Sequence, residues 1–184
     1  MTAHSTDRAI VARTARIIRD AGYLTMATAA PESGPWAAQL QYAWFTHPLR
    51  LVAGSGVTAQ HTRQVLSTGV AAATISTLPG SAHGLDGLQM AGDCRALPGT
   101  ELAAVVEAFY QQMFADPAEA QAQALPLTQL DGGGPQRLLE LRPLELWILD
   151  LDRWDTEGVS ARRAVDIGAV ESALSTPSAS DGSY

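Results

Sequence analysis

The stretch of this sequence with the most chemical promise is Leu49-Arg50-Leu51-Val52-Ala53-Gly54-Ser55-Gly56-Val57-Thr58-Ala59-Gln60-His61. It runs from an apolar strand through glycines into helical spacing. Backbone N–H groups, small hydroxyls and a helix start would meet there, and such a turn favours a phosphate. Within it, Gly54-x-Gly56-x-x-Ala59 is a formal match to the dinucleotide fingerprint. That fingerprint also needs a parallel strand after the helix and an acidic residue about 20 positions on to hold the ribose. The positions around Thr74 to Thr77 carry no acid, and the strands before the motif pair as hairpins. Leu51 to His61 is therefore read as a phosphate-facing turn outside a dinucleotide fold. The competing reading is that Gly54 and Gly56 serve only a tight strand-to-helix turn.

Other reactive residue types give less. His61 lies one turn into the helix, and its alternative role is packing at an interface. His47 precedes Pro48 in a hairpin turn and is expected to be exposed. His83 stands in a loop between Gly80 and Gly84, where it could approach a substrate, and His4 belongs to the N-terminal tail. Four histidines without paired spacing give no metal site. Cys94 is alone, which excludes an internal disulfide and a cysteine-built zinc site, and reads as a buried structural thiol. Asp150, Asp152 and Asp155 read as a solvated strand end. Gly80-Ser81-Ala82-His83-Gly84 is a near miss to the nucleophile elbow, so hydrolysis lacks its signature. Trp36, Trp44, Trp147 and Trp154 are expected in core or interface, with one able to cover a ring.

Alternating and helical periodicities place these residues on elements. Apolar positions Ile10, Thr14, Ile17, Ile18 and Ala21 predict an N-terminal amphipathic helix ending at Gly22. Tyr23 to Ala29, Trp36 to Phe45 and Leu49 to Ala53 predict three strands of an antiparallel meander. A short helix over Thr58 to Leu66, closed by Gly69, leads to strands Val70 to Thr77 and Gly87 to Leu97. Thr100 is expected to cap a helix over Glu101 to Phe114, with Leu102, Val105, Val106, Phe109 and Met113 on its apolar face. Asp131-Gly132-Gly133-Gly134-Pro135 is a flexible turn, and Gln136 to Leu141 and Leu144 to Leu151 read as two strands. The fold class is mainly β with added α, a closed or partly open antiparallel barrel of six or seven strands with peripheral helices.

The chain has 184 residues, fitting one domain with ragged ends. The expected division is a barrel over 1–155, a C-terminal extension over 156–171 and a disordered tail over 172–184. The net charge is −7 and the basic residues, all arginine, form no stripe, which argues against nucleic acid. No signal-peptide apolar run and no stretch of about 20 apolar residues is present, so a cytoplasmic, non-membrane protein is expected.

Several of these features together resemble a family. Tyr23-Leu24-Thr25-Met26-Ala27-Thr28, a Gly-Pro turn, a strand, and small hydroxyl residues leading to His61 are similar to the pyridoxamine 5′-phosphate oxidase-like split barrels. Gly87-Leu88-Gln89-Met90-Ala91-Gly92 and Phe109-Tyr110-Gln111-Gln112-Met113-Phe114 extend the likeness over roughly Asp7 to Asp155. The resemblance makes the barrel an antiparallel six- to seven-stranded split β-barrel and implies a homodimer binding FMN between protomers. Its ring would lie along Trp36 to Ala43 and Gly87 to Gly92. Ser55, Thr58 and His61 would fall on the phosphate side, and Gln39, Gln41 and Gln89 would meet the ring's polar edge. Two departures matter: Ala38 stands where the oxidases carry arginine, and Ala59-Gln60-His61 where they carry Ser-Arg-Lys. A phosphate would then need backbone amides, hydroxyls, protonated His61, or Arg63, Arg162 or Arg163 from elsewhere. With no lysine and no arginine-rich substrate pocket, oxidation of pyridoxamine phosphate itself is not expected. The implied activity is an FMN-dependent oxidoreductase acting on a small organic molecule. The alternatives are a non-catalytic binder of haem, a deazaflavin or another ligand, and a cofactor-free barrel.

Overall fold

The computed structural model describes residues 3–77 and 86–176. Helix and strand share it in nearly equal measure. Helix α1 (Ala3–Asp20) leads into β1 (Tyr23–Ala30), β2 (Gly34–Gln41), β3 (Ala43–Phe45) and β4 (Arg50–Gly56). Helix α2 (Gln60–Thr68) precedes β5 (Val70–Thr77) and β6 (Asp86–Ala96). Helices α3 (Gly99–Met113), α4 (Pro117–Gln123) and α5 (Leu127–Leu130) precede β7 (Gln136–Leu149). Helix α6 (Leu151–Glu157), β8 (Arg162–Ala164) and α7 (Ile167–Ser175) complete the described chain. The strands form one curled antiparallel sheet in the order β2-β1-β5-β6-β7-β4-β3, with β8 pairing β7. The periodicities predict such an antiparallel barrel with peripheral helices, and the resemblance implies its split form. No described helix is long and apolar enough to cross a membrane.

Two cores explain why some strands alternate and others do not. β1 and β5 bury every second residue, Leu24, Met26, Ala73 and Ile75 among them, against α1 and α7. β4 is buried on both sides: Leu51 joins the barrel interior, while Val52 joins a second cluster with Leu102, Val105 and Phe109 of α3. Hence its unbroken apolar run. The edge strand β3 is covered by a side chain, since the backbone N–H of Trp44 donates to Gln112 Oε1 at 3.1 Å and Gln112 Nε2 donates to the Trp44 carbonyl at 3.0 Å. That pairing blunts an open sheet edge.

Several local expectations are corrected. Trp36 to Phe45 is two strands, because buried Tyr42 turns its ring inward and its hydroxyl donates to the Ile18 carbonyl at 2.7 Å. Gln136 to Leu149 is one strand despite Pro143: the ladder with β6 shifts register between Ala91 and Gly92, and Gly92 lies against the Arg142 carbonyl where a Cβ would collide. Pro143 is absorbed at this bulge. Helix α3 begins at Gly99 without a side-chain cap, so Thr100 is inside it. Ser172 to Ser175 form the end of α7, whose Val170 and Leu174 are buried in the barrel core, and not part of a structureless tail. His47 is exposed, as expected, and holds Glu171 of α7 through its backbone N–H and, at 3.3 Å, its Nδ1. His83 and the side chain of His4 lie outside the described residues.

Candidate functional site

The turn between β4 and α2 is shorter than its sequence suggests. Gly54, Ser55 and Gly56 are the last residues of β4, paired with Leu138, Arg137 and Gln136 of β7, so the turn proper is Val57 to Ala59. Ser55 points into the barrel end and not outward. Its Oγ lies 2.7 Å from His61 Nε2 and accepts from Thr62 Oγ1 at 2.7 Å. All three residues are buried. The His61 ring is thereby tied to Thr62 through the Ser55 hydroxyl. Burial lowers its pKa from 6.5, which opposes the protonated form a phosphate would call for. Gln64, one turn on, accepts from Thr28 Oγ1 at 2.5 Å and donates to Ser33 Oγ and the Gly34 carbonyl, tying α2 to the β1–β2 hairpin.

What the turn presents to solvent is Thr58, Ala59, Gln60 and Arg63, with Arg63 folded back to donate to the Thr58 carbonyl. Ala59 gives α2 no side-chain cap. The first amides of any helix have no carbonyl partner within it, so this end is an uncapped positive dipole beside an exposed hydroxyl.

The outer face of the sheet is the other candidate surface. Strand registers align Ala37, Ala27, Ala72 and Ala91 in a row across β2, β1, β5 and β6, continued by Glu145 of β7. The row beside it reads Gln39, Thr25, Thr74, Gln89 and Trp147. Methyl groups make the first row a flat floor, and Val70 (54 % exposed) and Leu144 (62 % exposed) flank it. A shallow depression of about 630 Å³ overlies this floor. Such a row of exposed alanines is unusual for a solvated sheet face, where alternation normally puts polar residues outside.

The residues singled out in the sequence thus fall in three places. Ser55 and His61 meet each other inside the barrel end, and Thr58 stands outside it. Gln39 and Gln89 share the polar row on the outer face. Gln41 donates to the Met113 carbonyl at 3.3 Å on the far strand end, and Arg163 pairs with Asp7 at 2.7 Å. Of two further participants, the sequence reading named Arg162 and missed the alanine row. Arg162 points to Gln89, its Nε donating to Gln89 Oε1 at 3.0 Å, and the alanine row becomes visible only when four strands are set in register. Cys94 is fully buried, with its thiol pKa pushed up to about 12 by burial and then by Glu140. Glu140, 1 % exposed, is held by Arg50 at 2.8 Å and Arg95 at 3.1 Å, a structural ion cluster on the outer side of β7. Among the described residues no group of three or more His, Cys, Asp or Glu is arranged to hold a metal.

No family model and no curated protein matches the chain. Solved structures do match in fold. A haem-binding protein from Mycobacterium smegmatis aligns with a TM-score of 0.62 at 21% identity over 88% of this chain and 60% of its own, so this chain spans about three-fifths of that protein. A pyridoxamine 5′-phosphate oxidase-related, FMN-binding protein from Nostoc punctiforme aligns with a TM-score of 0.54 at 15% identity, over 90% of this chain and 98% of its own. The haem storage protein HutZ from Vibrio cholerae aligns with a TM-score of 0.54 at 14% identity, over 72% and 89%. The fold is that of the pyridoxamine 5′-phosphate oxidase-like split barrels, in agreement with the sequence resemblance. It is a fold whose solved examples include flavin-binding and haem-binding proteins.

Proposed function

We propose that the protein is an FMN-dependent oxidoreductase acting on a small organic molecule, as a cytoplasmic homodimer with the flavin between protomers. The observation that carries this reading is the alanine floor with its polar row, a flat apolar surface edged by amides on a fold whose solved examples include an FMN-binding protein. An isoalloxazine ring needs such a surface, with hydrogen-bonding groups only along one edge. In this reading Gln39 and Gln89 meet that edge, and a second copy of the chain covers the remaining floor. The phosphate lies at the uncapped start of α2, against Thr58 and Arg63, while Ser55 and His61 hold the turn from beneath. Gln41 and Arg163 join only by leaving their present partners, Met113 and Asp7. When bound, the flavin supplies the hydride or electron transfer, and the protein binds, orients and excludes water.

A second reading, a binder of haem or a deazaflavin without turnover, draws support from Ala59 and Gln60, which leave a dianionic phosphate with one nearby arginine. The visible absorbance spectrum of the freshly purified protein separates the two, followed by titration with FMN, a deazaflavin and haem read by tryptophan quenching. Flavin bands and stoichiometric FMN uptake are expected. A colourless protein that takes up no FMN overturns the first reading, and preferential haem uptake establishes the second. Thr58→Ala combined with Arg63→Gln is expected to weaken FMN binding about tenfold, or about 1.4 kcal/mol. Unchanged affinity would place the phosphate elsewhere.

A further inference from the structure

The ends of β5 and β6 and the short strand β8 enclose a pocket of about 150 Å³. It opens onto the outer face of the sheet, because Thr74 and Gln89 belong both to its wall and to the polar row beside the alanines. Among the described residues that line it, two are charged, Asp86 and Arg162. They do not neutralise each other. Asp86 is already saturated from α1: Arg13 Nε donates to Oδ1 and Arg16 Nη2 to Oδ2, each at 2.9 Å. With the Asp86 carboxylate held by Arg13 and Arg16, the Arg162 guanidinium is the cation among the described lining residues left for a ligand.

Among the described residues Arg162 meets only neutral partners. Its Nε donates to Gln89 Oε1 at 3.0 Å and its Nη1 lies 3.3 Å from Ser160 Oγ, while Nη2 has no partner among the described residues. Accepting from Arg162 through its carbonyl oxygen, Gln89 keeps both protons of its amide nitrogen for something else. The hydroxyls of Ser76 and Ser160 add donors at the rim. A cation without a carboxylate partner, oriented by an amide and surrounded by donors, is the chemistry that recognises an oxyanion.

We propose that this pocket is a carboxylate-binding subsite, taking the acid group of a small planar carboxylic acid whose ring lies along the alanine floor. One guanidinium facing outward, with Asp86 in the same wall, matches a single negative charge better than the two of a phosphate monoester. The proposal rests on the floor being a ligand face and not on that ligand being FMN, so the two readings fail separately.

Benzoate, benzamide and inorganic phosphate are the probes, titrated into the purified full chain with and without FMN. Binding is read by calorimetry and by the fluorescence of the tryptophans, of which Trp147 adjoins Gln89 in the polar row. Benzoate is expected to saturate, benzamide to bind at least about tenfold more weakly, and Arg162→Gln to weaken benzoate by about the same factor. Arg162→Lys, keeping the charge without the fork, is expected to fall between. Arg153→Gln, on an exposed i,i+4 pair of α6, is expected to match wild type and controls for loss of one positive charge. Equal melting temperatures establish that the variants are folded. Benzoate binding unaffected by Arg162→Gln, or no benzoate binding by wild type, overturns the proposal. Displacement of benzoate by an equal concentration of phosphate overturns the carboxylate assignment, as does a parallel loss of FMN uptake in Arg162→Gln, which would give the oxyanion to the cofactor. Wild type that binds benzoate through Arg162 but takes up no FMN upholds the subsite and overturns only the flavin reading.

Discussion

His61 combines a suggestive position with an inward-facing ring. Its place one turn into a helix after a glycine-bearing strand points to an anion, yet its ring faces Ser55 and Thr62 inside the barrel end. Burial lowers its pKa below 6.5, so the unfolded chain binds the proton more readily than the folded one. Stability therefore rises with pH through this window and is lost as pH falls below about 6.5. His61→Gln, which keeps a hydrogen-bonding side chain but cannot titrate, is expected to flatten the dependence of the melting temperature between about pH 5 and pH 7. An unaltered slope, measured by calorimetry at closely spaced pH values, would assign the acid sensitivity to another group. The same contrast separates Arg162 from Arg163. Neighbours in sequence on β8, they alternate across it, and one turns to Gln89 while the other turns to Asp7. Sequence alone could name the pair but not the member that faces the sheet.

Between elements, the decisive contact is the bulge where β6 meets β7. Gly92 comes so close to the Arg142 carbonyl that Gly92→Ala must move backbone, and the expected cost is about 3 kcal/mol, at the upper end for overpacking. Gly133→Ala, where a Cβ would meet nothing within 4 Å, is the matched control and is expected to leave the urea midpoint nearly unchanged. Equal midpoints for the two variants would mean that the bulge relaxes freely. Much of the element plan was legible: β1 and β5 were placed as strands and bury every second residue, and Gly69 ends α2 in the left-handed conformation. The misreadings share a cause. Pro143 looks like a strand break until Gly92 on the facing strand is known to accommodate it, and Gly54 to Gly56 look like a turn until β7 is known to pair with them. Likewise Trp36 to Phe45 reads as continuous because nothing local reveals that Tyr42 reaches Ile18. Each is a long-range fact, and local periodicity carries none of it.

For the molecule as a whole, the exposed sheet face is where the proposed homodimer is tested. Exposed Val70 and Leu144 beside the alanine row make a surface that a second copy of the chain would bury. Wild type is expected to sediment as a dimer at micromolar concentration, and Ala72→Arg, which puts a charge at the centre of the floor, as a monomer. A monomeric wild type would remove the homodimer from the proposed function. The sheet order carries a further consequence, for biosynthesis. β7 lies between β6 and β4 and pairs with both, yet it is made after them. Until Gln136 to Leu149 emerge from the ribosome, the nascent chain holds one group of strands ending in β6 and another ending in β4, each with an open edge. Synthesis therefore passes through an interval in which most of the barrel has been translated but cannot close, when the chain is most exposed to edge-to-edge aggregation and most in need of a chaperone.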